Sequence, residues 1–236
     1  DTLSLHDALP IFVIKAVASA ADMNSWITTN SDRVLFGIST ANNTGTFSTS
    51  AANVDSTNDK LSCAMIRQMK IMARSTEGGT TGITPYMTED GREYFVMFAG
   101  IRAFRDLKTD SEMVAANRDA RAREGDGMKN NPLFQDGDLM IDGVIVREEP
   151  YITRLLTTAS TFLSAAGAAS IPVEPVFLCG AAAGGIAWGQ KPTPRAQKFD
   201  YDFRMGAAVE ELRGLEKLNY NGLQNGMVTG FVSGVA

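Results

Sequence analysis

Leu61, Met65, Met69 and Met72 recur at spacings of four, four and three. That is the period of one helix face, and a helix with one apolar face must bury it against another layer. The spacing predicts a helix over 58–75, with Thr57, Asn58 or Asp59 as its N-cap and Glu77-Gly-Gly79 as its stop. Arg67, Lys70 and Arg74 fall on the other faces, where cations near the C-terminus suit the helix dipole. The methionines read as core filler rather than soft-metal ligands.

Around this helix the pattern alternates between short strands and helices. Arg33-Val-Leu-Phe-Gly37 reads as a strand ending on Gly, and 39–57, rich in Ser, Thr, Asn and Gly, as a loop. A weak helical pattern runs over 12–31. Glu89-Asp-Gly-Arg92 reads as a turn before a strand over 93–98. A helix is expected over 101–123, where five Arg interleave with Asp106, Asp110, Glu112 and Asp119. That mixture marks a solvated, salt-bridged face rather than a nucleic-acid patch. Residues 124–131 read as a loop, and 137–148 as a hairpin around an Asp-Gly turn. Further on, 175–179 is a strand, 180–189 a packed helix, 191–200 a Pro-rich linker, 219–222 a turn and 227–234 a final strand.

The chemistry available is narrow. The chain holds one His, His6, and two Cys, Cys63 and Cys179, too few for a disulfide framework or a four-Cys zinc site. His6 lies within Thr2–Ile11, which resembles one translated frame of a short-read sequencing adapter, so 1–11 is expected to be an artefact outside the fold. Setting it aside leaves no His, and a net charge of −3 from 22 basic and 25 acidic residues. Triad and His-metal chemistry are then excluded. The Gly-rich run at 180–189 lacks the Lys-Ser/Thr pair of a P-loop. Asp136, Asp138 and Asp142 resemble a calcium loop, but Met140 and Ile141 stand where a ligand and a Gly are needed. Residues 155–173 are uncharged but too rich in Ser and Thr for a membrane span. No cofactor, catalytic residue or metal ligand is expected.

An ordered set of segments carries a resemblance. Tyr94-Phe-Val-Met-Phe98, Phe104-Arg-Asp-Leu-Lys-Thr-Asp110, Ala116-Asn-Arg-Asp-Ala-Arg121, Asn131-Pro-Leu-Phe134 and Asp142-Gly-Val-Ile-Val146 resemble major capsid proteins of tailed phages, of the coliphage N-four type. Ala187-Trp-Gly-Gln190, Phe199-Asp-Tyr201 and the run from Gly214 to Gly222 extend the likeness over about 26–235. The resemblance implies an α+β fold similar to the Hong Kong 97 phage coat, truncated at its N-terminus. It implies a remnant of the N-terminal region and loop at 12–57 and a spine helix at 58–79. A peripheral domain at 80–150, an axial domain at 151–198 and a C-terminal return at 199–236 follow.

The implied role is structural: copies in hexamers and pentamers close an icosahedral shell around double-stranded DNA, without sequence-specific binding. Portal, scaffold or cement proteins are candidate partners, and a membrane is not. The virion capsid, assembled in the host cytoplasm, is the implied location. Arg67, Lys70, Arg102, Arg105, Arg118 and Arg121 are the candidate subunit contacts, because interleaved charges fix register and reject wrong partners. Two other readings stay open. One is an encapsulin-like compartment shell, and the other a small cytoplasmic enzyme working without His.

Overall fold

The computed structural model describes residues 20–76, 81–121, 138–153 and 161–235. Helix α1 (Ala20–Thr29) leads into strand β1 (Val34–Phe36). A short helix α2 (Phe47–Ala51) then interrupts the stretch expected to be a loop, because Phe47 and Ala51 have a core to enter. Helix α3 (Cys63–Arg74) is the expected amphipathic helix, starting later than the spacing predicts. Its N-cap is Ser62, whose hydroxyl accepts the Met65 N–H at 3.4 Å. Leu61 therefore enters the core from just outside the helix.

Strands β2 (Tyr86–Met87) and β3 (Glu93–Ala99) flank the predicted turn, where Gly91 takes a positive φ of 75°. The helix expected over 101–123 is two, α4 (Ile101–Thr109) and α5 (Ser111–Arg121). The break is at Asp110, whose extended ψ of 134° ends α4. Strands β4 (Leu139–Ile141) and β5 (Val144–Glu148) form the predicted hairpin. Asp142 and Gly143 both take positive φ, as a two-residue hairpin loop requires. Helix α6 (Thr161–Ser164) precedes β6 (Val173–Cys179).

The chain then departs from expectation. The packed helix at 180–189 and the linker at 191–200 are instead one strand, β7 (Gly184–Phe199), paired antiparallel with β8 (Arg204–Lys217). Pro192 sits where the ladder slips between Gln190 and Thr193, so its missing N–H costs no regular pairing. The last strand is β9 (Met227–Ser233). The proposed stop at Glu77–Gly79, the loop at 124–131, the segment Asn131–Phe134 and residues 1–11 lie outside the described residues.

The main sheet has the order β1-β9-β6-β3-β5-β4, with β2 added on β3. β1 pairs parallel to β9 and β3 parallel to β5, while the remaining pairs are antiparallel. Every residue of β6 and β9 is buried, so these central strands carry packing on both faces. Alternation sorts their side chains. Val176, Leu178, Val228 and Val232 face the cluster that holds Met65, Ile66, Met69 and Met72 of α3. Val173 and Phe231 face the opposite cluster, with Phe36, Phe47, Met23 and Ile27. There Phe36 stacks on Phe231 at 4.9 Å, and Phe47 meets Phe231 edge-on at 5.4 Å.

At Gly230 α3 lies close against the sheet. A Cβ there would lie 2.9 Å from Met65 Cε and from Val176 Cγ2, and 3.0 Å from Met69 Sδ. Burying each of the large α3 side chains contributes about 1.5–3 kcal/mol, so this contact is a main support of the fold. One sheet thus draws strands from the segments 12–57, 80–150, 151–198 and 199–236, and the β7–β8 ladder runs unbroken across residue 198.

Candidate assembly surface

Among the described residues no three His, Cys, Asp or Glu side chains converge to hold a metal ion. Among them too, no helix is long and apolar enough to cross a membrane. Glu174, the second residue of β6, is the buried carboxylate most easily mistaken for a catalytic acid. One oxygen accepts the Ala103 N–H at 2.8 Å and the other the Thr153 hydroxyl at 2.6 Å. It thereby caps the start of α4, where Gly100 has no side chain to do so. Burial pushes its pKa up, against these two bonds and the charge of Arg102. Both oxygens are used and the side chain is fully buried, so it serves the helix rather than a substrate.

Asp110 holds two helix starts together. Its carboxylate accepts the Cys63 N–H of α3 at 2.7 Å and the Glu112 N–H of α5 at 3.1 Å. Partial burial opposes the charge, but these backbone bonds outweigh it and hold the carboxyl below its ordinary pKa. The same neighbourhood, burial first and then the negative Asp110, pushes the Cys63 thiol up to about 11.

The predicted contact residues are in large part already engaged within the chain. Arg67 grips both carboxylate oxygens of Glu112, and its Nε donates to Asp142 at 2.6 Å. The bonds to Glu112 and then Asp142 hold the guanidinium pKa above its ordinary value. Lys70 donates to the Asp142 carbonyl, and Arg74 pairs with Glu93. Arg147 and Asp138 add a pair at 3.1 Å across the β4–β5 hairpin. These exposed ions tie α3 to α5, β3 and the hairpin, and such pairs supply register more than stability.

Arg102 and Arg105 do something the charge pattern does not reveal. Arg102 donates to the Gly234 carbonyl at 2.6 Å and Arg105 to the Val235 carbonyl at 2.8 Å, so α4 clamps the backbone that follows β9. Arg105 also pairs with Asp106 at 2.9 Å. Arg118 and Arg121 lie outside the residues whose side chains are described.

The surface that composition did not flag is the β7–β8 ribbon. Apart from a few residues near its base, it is exposed on both faces and bears Trp188, Phe199, Met205, Val209 and Leu212. Its base is fixed to the body by Lys217, whose ammonium lies 5.7 Å from the Trp26 ring centre. Burial pulls that ammonium down to about 8 and pushes the neighbouring Cys179 thiol up to about 12.

Comparison with known proteins agrees with this geometry. The family described as phage capsid protein matches residues 14–231. The chain is 28% identical over 161 residues to the major capsid protein of Pseudomonas phage KPP25, covering 67% of this chain and 40% of that protein. It is 40% identical to a chain of the cyanophage Pam1 capsid asymmetric unit, with a TM-score of 0.76 over 93% of this chain and 59% of that one. The capsid of Ralstonia phage GP4 shares the fold at 20% identity, with a TM-score of 0.58 over 88% of this chain and 54% of that one. The chain thus spans between two fifths and three fifths of these relatives' lengths. The α+β capsid fold expected from the resemblance is the fold observed.

Proposed function

Because the chain belongs to the phage capsid protein family, we propose that it is a non-enzymatic wall subunit of an icosahedral shell around double-stranded DNA. In this reading copies associate as hexamers and pentamers by repeated heterologous contacts, which close into a shell when the rotation between neighbours closes. The observation that carries the reading is the joint sequence and structural likeness to the Pam1 capsid chain over 93% of this one. Net charge supports it: at −5 the chain does not neutralise packaged phosphates, so DNA is enclosed rather than gripped. Residues 58–79 are taken as the spine helix. Residues 80–150 are taken as the peripheral domain and 151–198 as the axial domain, a reading in which β6 of the latter pairs with β3 of the former. Assembly in the host cytoplasm, and attachment of portal, scaffold or cement proteins, belong to the same reading.

Light scattering on the purified chain, followed by electron microscopy of the heaviest fraction, tests it. Rings, sheets or shells of repeated subunits are expected as concentration and crowding rise. A chain that stays monomeric under every condition would sink the proposal.

A further inference from the structure

The β7–β8 ladder slips twice, and both slips are on β7. Residues 184–188 pair in step with 213–217. Gln190 then pairs with Leu212, which leaves Gly189 without an opposite residue. Thr193 pairs with Glu210, which sets Lys191 and Pro192 against Glu211 alone. Each slip is a bulge, where the ladder is interrupted and the bulged strand bends. From the pair Thr193 and Glu210 to the pair Phe199 and Arg204 the ladder is in step again.

The two slips belong together. A single one would shift the alternation of β7 against β8 by one residue and turn the outer part of β7 over. With two, Ile186 and Trp188, opposite Leu215 and Arg213, share a face with Pro194 and Ala196, opposite Val209 and Ala207. The ribbon thus changes direction without exchanging its faces. The residues at the slips suit this. Gly189 has no side chain, and a Cβ there would lie 2.9 Å from Leu212 Cδ2. Pro192 has no N–H to give to a ladder.

The halves on either side are held differently. The inner half is tied to the body: Lys217 lies over Trp26, and the Leu218 N–H just beyond it donates to the Ala183 carbonyl at 3.4 Å. The outer half holds to itself. Arg195 pairs with Glu210 at 3.1 Å and Lys198 with Asp202 at 3.4 Å. Among the described residues no hydrogen bond or ion pair joins 193–210 to the body. A two-stranded ribbon with little packed on it owes its stiffness to its ladder, so it is softest where the ladder is broken.

We infer that the ribbon is jointed at residues 189–192. The outer half, with the exposed tip aromatics Tyr201 and Phe203, swings as one unit on the inner half, and β8 runs through as the flexure. The outer ladder spans about 20 Å, so a bend of about 30° carries the tip about 10 Å. Rings of five and six set neighbours at different angles, and a joint lets one chain serve in both. That use rests on the shell reading above, whereas the joint is a property of the single chain.

Residual dipolar couplings of the backbone amides test it, measured on the deuterated, 15N-labelled full chain where light scattering reports single chains. Couplings from 184–188 and 213–217 are expected to fit the alignment of the main sheet. Those from 193–199 and 204–210 are expected to fit one alignment of their own, weaker by about a quarter or more. Three results overturn the inference. Outer couplings that fit the main sheet at full size mean a rigid ribbon. Inner couplings reduced as much as the outer ones put the movement at the base. Outer couplings that fit no single alignment mean a ribbon without a joint. Removing Gly189 and Pro192 together makes the ladder regular and should raise the outer couplings to the size of the sheet's; couplings left unchanged count against the joint. The unaltered chain decides the matter even where that variant does not fold. A rigid ribbon leaves the shell reading standing, and a chain that never associates removes that reading without touching the joint.

Discussion

The buried guanidinium of Arg33 donates to the backbone carbonyl of Met72, in the last turn of α3. It also donates to the Ser75 carbonyl at 3.2 Å and the Thr81 carbonyl at 2.9 Å, while its Nε faces Asp32 at 3.5 Å. Helix C-termini leave carbonyls without partners, and a cation there meets the negative end of the dipole. Burial pulls the Arg33 pKa down, against the charge of Asp32, but no guanidinium loses its proton near neutrality. Arg33→Met keeps the bulk and strands three carbonyls. A loss of about 2–4 kcal/mol in urea unfolding is expected, with Arg33→Lys recovering part of it. A change under about 0.5 kcal/mol would show that the clamp does not support the helix.

Gly230 sets how near α3 lies to the sheet. In Gly230→Ala the new methyl meets the flexible ends of Met65 and Met69, which can give by a few tenths of an ångström, and the stiffer Val176 Cγ2, so a cost of about 1–2 kcal/mol is expected. Gly230→Val adds branches that also press on Val176, and about 3 kcal/mol is expected. Equal denaturation midpoints for the two variants would contradict the close approach.

Glu174 makes stability depend on pH in an unusual direction. Its folded pKa is raised above 4.5, chiefly by burial, so the folded chain holds this proton after the unfolded chain has lost it. The groups that face it are Thr153, the Ala103 N–H, Arg102 and Asp106. The linkage slope is therefore negative: this contribution is fully present below the unfolded pKa and is lost as pH rises through the folded one. Glu174→Gln removes the slope. Melting midpoints measured from pH 4 to 8 should show the wild-type advantage over the variant shrinking as pH rises. Parallel curves would refute it.

Cys63 and Cys179 are buried, and their thiols are pushed up to about 11 and about 12, so little thiolate exists at pH 8. A thiol reagent should label neither in the folded chain within minutes, and both in urea. Rapid labelling of one before unfolding would place it on the surface.

What the sequence made legible was local and periodic. The Met stripe, the Asp142-Gly143 turn and the strands at 93–99 and 227–233 each carry their own period or turn residue. The break at Asp110 was hidden, because the amphipathic pattern continues past it and the cause is a cap offered to α3 across the fold. The ribbon was hidden because Gly, Ala and Pro dominate 184–196, and strand propensity there is poor. Pairing with β8, rather than intrinsic preference, decides it. Among the candidate contacts, Arg102 and Arg105 were visible as charges, but their targets are backbone carbonyls at Gly234 and Val235, which no charge pattern encodes.

The place of β9 bears on how the sheet closes. It is the last strand of the sheet in chain order, yet it lies between β1 and β6. Without β9, β1 loses its partner in the sheet, β6 keeps only β3, and Phe36 loses its stacking partner. The core closes only when β9 has joined the sheet, and such long-range pairing is slow. Strand order alone therefore ties the first strand of the sheet to the last: β1 has a place only once β9 has taken its own.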